Sequence, residues 1–113
     1  MPNDKDLIRL QHMLDYAREA LSMAHGKTRA ELDTDRQLNL SLVRLLEIIG
    51  EAAAHVSDQT RTQYSQIEWS EIVGLRNRLI HGYDAVDFDI LWQIVTADLP
   101  ALVAKLERIL PDR

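Results

Sequence analysis

Apolar residues that alternate between spacings of three and four are the feature that most restricts how this chain can fold. In the first stretch they are Leu7, Leu10, Leu14, Ala17, Leu21 and Ala24. This spacing places the side chains along one stripe of an α-helix. It predicts a helix from about Asp4 to His25, ended by Gly26.

A second apolar stripe predicts a longer helix that begins after a cap at Thr34 or Asp35 and ends near Val56. Its stripe is Leu38, Leu42, Leu45, Ile49, Ala52 and Val56. Further apolar residues on neighbouring faces make this helix apolar around most of its circumference. A helix of that kind lies in the middle of a bundle or inside an interface.

The remaining sequence predicts two more helices and no division of the chain. One runs from Trp69 to His81, with Gly82 just past its end. The other begins at Phe88 with Asp87 as its N-cap, and Pro100 predicts a kink or break near Leu99. Four Gly and six aromatic residues leave little material for a β-sandwich. We therefore expect one all-α domain over residues 1–113, an antiparallel bundle of four to five helices.

Composition and charge exclude several classes of function. The chain has no Cys, which excludes disulfides, thiolate zinc sites and a Cys nucleophile. Charged residues near the N-terminus and the lack of a long apolar run predict no signal peptide and no membrane span, so we expect a cytoplasmic protein. The net charge of −5 argues against a protein that coats nucleic acid. Any phosphate chemistry must use a local cluster of cations.

Common catalytic motifs are absent, and the four His residues are scattered. We therefore predict neither a metal site nor a cofactor. Glu47 and Glu51 lie one helical turn apart, and two interpretations stay open. They form a solvated stripe or a partner for Arg44, or Glu51 lies near an active cleft and orients an arginine.

The segment from Gly74 to Tyr83 concentrates chemically capable side chains in a few residues. They are Arg76, Asn77, Arg78, His81 and Tyr83. Histidine suits proton transfer near neutral pH, and arginines can form paired hydrogen bonds with phosphate oxygens. On spacing alone, a helix end studded with salt bridges is an equally good interpretation.

Helical geometry adds a constraint on how this segment could act. On one helix Asn77 and His81 would share a face, whereas Arg76 and His81 would be turned about 140° from each other. Two copies facing across a dimer axis could bring Arg76 and His81 together.

This segment resembles the R-x4-H motif of the HEPN superfamily, as Arg76-Asn-Arg-Leu-Ile-His81. With Gly82 and Tyr83 it becomes R-x4-H-x-Y, which is similar to the HepT toxin branch. The stretches Leu45-Leu-Glu-Ile-Ile-Gly-Glu-Ala-Ala53, Ile67-Glu-Trp69 and Asp87-Phe-Asp-Ile-Leu-Trp92 also match, so the resemblance covers nearly the whole chain.

The resemblance implies a HEPN-type bundle that dimerises, with both R-x4-H motifs lining a shared cleft. It implies a metal-independent endoribonuclease, the toxin of a type II or type VII toxin–antitoxin pair. Arg76, Asn77 and His81 would be catalytic, with Arg78 and Glu51 as supporting residues. An MntA-type nucleotidyltransferase antitoxin would silence the enzyme by adding AMP to Tyr83.

A second hypothesis comes from a different functional class. The chain could be a catalytically inactive HEPN module that binds a nucleotide or its nucleotidyltransferase partner. The acidic net charge favours this alternative, whereas the intact pair of Arg76 and His81 favours the RNase. A purely structural helical dimerisation domain would leave the cluster from Arg76 to Tyr83 unexplained.

Overall fold

The computed structural model describes residues 2–81 and 85–111, and it confirms the all-α prediction. Its helices are α1 (Asp4–Ala24), α2 (Glu31–Thr34), α3 (Arg36–Ala54), α4 (Asp58–Gln63), α5 (Trp69–Val73), α6 (Leu75–Leu79), α7 (Phe88–Gln93) and α8 (Leu99–Ile109). A short antiparallel pair, β1 (Ile80–His81) and β2 (Ala85–Val86), follows α6.

The ends of these helices follow from local side-chain chemistry. Asp35 caps α3 by accepting a hydrogen bond from the Leu38 N–H, and Ser57 does the same for α4. Asp87 caps α7. Gly26 follows α1 with a φ of +75°, a conformation that glycine adopts without steric cost. The predicted caps at Asp35 and Asp87 and the stop at Gly26 are confirmed.

Helix α3 lies at the centre of the bundle. It packs along α1 and also contacts α2, α5, α6 and α7, while α8 packs on the other side of α1. The fully buried side chains include Leu10, Leu42, Leu46, Ile49 and Leu106. This arrangement explains why the sequence of α3 is apolar on several faces.

The prediction of one helix from Trp69 to His81 is wrong. The α-helix is interrupted at Gly74, which ends α5 with a φ of −86° and a ψ of 7°. Helix α6 then ends at Leu79, because Ile80 is extended and pairs with Val86. Asn77 and His81 therefore do not share a helical face. Gly82, the expected C-terminal stop, lies outside the described residues.

The predicted disturbance near Leu99 is confirmed as a change of hydrogen-bond register. A π-helical turn (Ile94–Asp98) connects α7 to α8, and the Leu99 N–H donates to the Ile94 carbonyl five residues earlier. Pro100 lies in the first turn of α8. Because proline has no N–H, the helix loses an α-helical hydrogen bond there.

Candidate functional site

An open cleft of about 710 Å³ lies between α1, α3 and the α5–α6 segment. Of the residues singled out in the sequence, it brings together Arg76 and Asn77 of α6 and Glu51 of α3. Other polar residues complete its walls: Arg9, His12, Arg44, Glu47 and His55. Three helical segments therefore contribute polar side chains to this cleft, beside apolar residues such as Ile48 and Val73.

Gly50 allows α5 to approach α3 closely enough to form this cleft. A Cβ atom at Gly50 would lie 3.0 Å from the backbone carbonyl oxygen of Ile72, which is tighter than ordinary van der Waals contact. Because α6 follows α5 directly, this close approach also brings Arg76 beside the outer face of α3.

The cations on two walls of the cleft are available to bind a ligand. Within residues 2–81 and 85–111, Arg44 and Arg76 make no hydrogen bond or ion pair, and both are exposed. Arg9 instead donates to the His55 carbonyl oxygen at 3.1 Å. Two unpaired arginines contributed to one cleft by different helices are suited to binding phosphate groups.

The carboxylates of α3 do not pair with these arginines. The Glu51 carboxylate lies 3.7 Å from His55 Nδ1, and neither Glu47 nor Glu51 forms an ion pair with Arg44 among the described residues. Glu51 therefore lies in the cleft, where its part in positioning an arginine stays a prediction.

His81 lies on β1, beside α6, and is not among the described residues that line the cleft. Its side chain is exposed, and its Nε2 lies 3.8 Å from Asp87 Oδ2. A single protomer thus presents Arg76 in the cleft and His81 on the adjoining hairpin strand.

Arg78 faces the side of α6 opposite the cleft. Its guanidinium lies 3.3 Å from Asp98 Oδ2 in the π-helical turn. Both residues border a smaller pocket of about 250 Å³. A salt bridge of this kind is what the structural interpretation of the motif predicts. It attaches α6 to the π-helical turn that precedes α8.

Tyr83 lies outside the described residues, so its expected part as an AMP acceptor stays a prediction. Within the described ranges, no three His, Asp or Glu side chains are placed to hold a metal ion. None of the helices there is long and apolar enough to cross a membrane.

The chain matches a protein-family profile over most of its length. Residues 13–109 match the family described as "Ribonuclease HepT-like". The chain belongs to the HepT-like ribonuclease family. The match includes Glu51, Arg76, Asn77 and His81, and it confirms the predicted HepT-like HEPN domain and the endoribonuclease class.

Relatives with HepT or RNase names cover most of the chain. "Putative RNase MJ1380" from Methanocaldococcus jannaschii is 33% identical over 98 residues, covering 87% of this chain and 90% of that protein. "Putative RNase TTE0752" from Caldanaerobacter subterraneus is 33% identical over 89% of this chain and 90% of its own length. "Probable ribonuclease HepT" from Thermococcus cleftensis is 36% identical over 66% of this chain and 68% of its own. No solved structure matches.

The sequence predicted no site role for two residues that the structure places near the motif. It indicated Arg44 as a partner for carboxylates, and Asp87 as a helix cap within a matching stretch. Gly50, a glycine inside an apolar helix, was a usable signal of close helix packing. No sequence signal indicated that Asp87 approaches His81. The pairing of β1 with β2, which brings the two residues together, was not predicted.

Proposed function

We propose that this HepT-like protein cleaves RNA without a metal ion, using the ribose 2′-hydroxyl as the nucleophile. The observation that carries the proposal is Arg76, an exposed arginine without an ion-pair partner in the described residues, which lines the cleft together with Asn77. The segment containing both residues lies inside the family match.

Each motif residue has a chemical role in this reaction. His81 removes the 2′-hydroxyl proton or protonates the leaving 5′-oxygen. Arg76 stabilises the negative charge that develops on the phosphorus centre, and Asn77 orients His81 or the substrate. The products are a 2′,3′-cyclic phosphate and a 5′-hydroxyl end. Arg44, which lines the same cleft from α3, binds a neighbouring phosphate.

The active form in this proposal is a homodimer in which Arg76 and His81 of different protomers converge. Large apolar side chains support a second copy on the cleft side. Val73 lines the cleft, Leu40 lies one turn before Arg44 on α3, and Ile8 lies one turn before His12 on α1; all three are exposed. A dimer interface would remove these side chains from water.

Replacing the motif residues tests the catalytic assignment. We expect Arg76→Ala and His81→Ala each to reduce cleavage of a mixed-sequence RNA by at least about 100-fold, with circular dichroism unchanged. Cleavage should persist in EDTA and stop when the RNA carries 2′-deoxyribose.

Arg44→Ala should raise KM more than it lowers kcat, because it removes a binding contact.

Substitutions at exposed residues distant from the cleft are the matched controls. Arg108→Ala and His25→Ala remove the same side chains elsewhere and should leave cleavage unchanged. Wild-type cleavage rates in His81→Ala would contradict the mechanism. A wild type that cleaves no RNA but binds a nucleotide or an MntA-type nucleotidyltransferase would instead support the inactive binding module.

The cellular role we propose is that of a toxin silenced by AMP transfer to Tyr83. An attached AMP would place a phosphate and a nucleoside beside the motif, where Arg76 could pair with the phosphate instead of RNA. Co-expression with an MntA-type nucleotidyltransferase should add AMP to the intact mass of the wild type but not of Tyr83→Phe. The Tyr83→Phe variant should keep its RNase activity and inhibit growth despite that partner. Modification of another residue would contradict this switch.

A further inference from the structure

The carboxylate of Asp87 connects the last helical segment to the motif histidine. Its Oδ1 accepts hydrogen bonds from the N–H groups of Asp89 and Ile90, at 3.0 and 3.1 Å. Its Oδ2 lies 3.8 Å from His81 Nε2. One carboxylate therefore caps α7 with one oxygen and faces the imidazole with the other.

The backbone around Asp87 fixes this arrangement. The Asp87 N–H donates to the Leu79 carbonyl oxygen at 2.8 Å, directly beyond the pairing of Ile80 with Val86 and of His81 with Ala85. Because Oδ1 is held by two N–H groups, the carboxylate plane cannot rotate without breaking the cap. The orientation of Oδ2 toward His81 is thus set by the hairpin and the helix together.

We propose that Asp87 is a positioning residue for His81, which holds the imidazole in the orientation that proton transfer requires. The inference rests on the proposed RNase function, in which His81 transfers a proton. A carboxylate that is already fixed as a helix cap can hold the imidazole without extra side-chain ordering. Asp87 acts through His81 and does not itself contact the RNA.

None of the other charged groups near β1 pairs with His81 in the described residues. On α6, Arg76 lines the cleft and Arg78 pairs with Asp98. On α7, Asp89 pairs with Arg29 at 2.7 Å, and the two residues of β2 are uncharged. Among the described residues, the carboxylate that pairs with His81 is therefore Asp87.

The substitution Asp87→Asn separates the two roles of this side chain. Asparagine is as good an N-cap as aspartate, so Oδ1 can still accept from the start of α7 while the negative charge is lost. We expect the carbon-bound imidazole proton signals of His81 to change their NMR chemical shifts at a fixed pH, because the ring loses the charged group that orients it. The signals are assigned by their loss in His81→Ala.

RNA cleavage by Asp87→Asn should also slow. The loss should fall on kcat more than on KM, because Asp87 acts through His81 and does not contact the RNA. The rate should fall by less than the about 100-fold or greater loss expected from removing a general acid or base itself. The melting temperature should stay near the wild-type value, because the cap is retained.

Asp35→Asn is the matched control, since Asp35 caps α3 through the Leu38 N–H and has no histidine partner in the described residues. It should change neither the His81 imidazole signals nor kcat. Unchanged His81 signals in Asp87→Asn would overturn the proposal. So would changed signals with an unchanged kcat. If the wild type cleaves no RNA, the proposed function fails, while the His81 signals still decide whether Asp87 positions the imidazole.

Discussion

The buried carboxylate of Asp6 shows how a single residue attaches α1 to the segment after α3. Asp6 is 1% exposed and accepts hydrogen bonds from the Ser57 N–H, the Ser57 hydroxyl and the Thr60 hydroxyl. Burial alone would raise the pKa of this carboxyl group, but the hydrogen bonds outweigh it and lower its pKa below the ordinary value of 3.8. The folded protein therefore stabilises the ionised form of Asp6.

This lowered pKa predicts a pH-dependent loss of stability in Asp6→Asn. At pH 7 we expect the free energy of unfolding to fall by about 1–3 kcal/mol, the range for hydrogen bonds to a charged group. A depressed carboxyl pKa contributes stability above its unfolded value, and the contribution disappears as the pH falls through the folded value. The difference between wild type and Asp6→Asn should thus shrink below about pH 4. Urea unfolding across that range measures it.

Asp4→Asn is the control at this scale, because Asp4 is an exposed carboxylate in the same first turn of α1. Its effect should stay below about 1 kcal/mol, the range of a charge near a helix N-terminus. Equal and pH-independent losses in both variants would contradict the assignment of Asp6 as an ionised buried hydrogen-bond acceptor.

At the scale of whole elements, the C-terminal end of α3 fixes how the short helices pack beside the cleft. The Arg61 guanidinium donates to the carbonyl oxygens of Ala53 and Ala54, at 2.9 and 3.0 Å, and its Nε donates to Val56. The same group lies over the ring of Trp69 at 5.9 Å. Arg61 therefore donates to carbonyl groups at the C-terminal end of α3. Its guanidinium also holds Trp69, the first residue of α5, against this end.

The contact between α3 and α5 predicts the outcome of Gly50→Ala. Alanine favours a helix over glycine by about 1 kcal/mol, but here its methyl group would push against the Ile72 carbonyl oxygen. We expect a net destabilisation of about 1–2 kcal/mol from overpacking, measured by urea unfolding. NMR shifts of the Arg76 and Asn77 amides should also change, because α6 follows the displaced α5.

Ala104→Gly in the interior of α8 provides the contrast. Ala104 is exposed, so this change should cost only the helix propensity difference of about 1 kcal/mol and leave the Arg76 amide shift unchanged. A Gly50→Ala variant more stable than the wild type would show that α5 does not require the close approach.

At the scale of the whole molecule, the described chain is a flat body. Its Cα atoms extend 43 × 30 × 19 Å, and its large exposed apolar side chains are Ile8, Leu40 and Val73 among the described residues. The proposed second copy would cover these apolar side chains. It would also bring its His81 to the Arg76 of the first protomer, which one protomer alone keeps apart from its own His81.

Mixing two inactive variants tests the composite site. In a heterodimer of Arg76→Ala and His81→Ala, one of the two sites would receive an intact Arg76 from one protomer and an intact His81 from the other. With equal amounts and random exchange, about half of the dimers are mixed and activity should recover to about a quarter of wild type. Sedimentation of each variant should show a dimer. No recovery among exchanged dimers would place Arg76 and His81 of a single protomer in one site.

The sequence by itself determined the long helices α1 and α3, the caps at Asp35 and Asp87, and the residue types of the site. Alternating apolar spacing, cap residues and proline act within a few positions, so the bounds of α1 and α3 and the disturbance near Leu99 could be predicted from local chemistry. The R-x4-H motif was visible for the same reason.

The path of the chain after Gly74 was decided only by tertiary structure, because the pairing of Ile80 with Val86 outweighs helix continuation. That pairing moves His81 off the helix and brings Asp87 to it, and the packing of α5 on Gly50 puts Arg76 and Arg44 in one cleft. Such contacts join residues distant in sequence, which no local spacing pattern encodes.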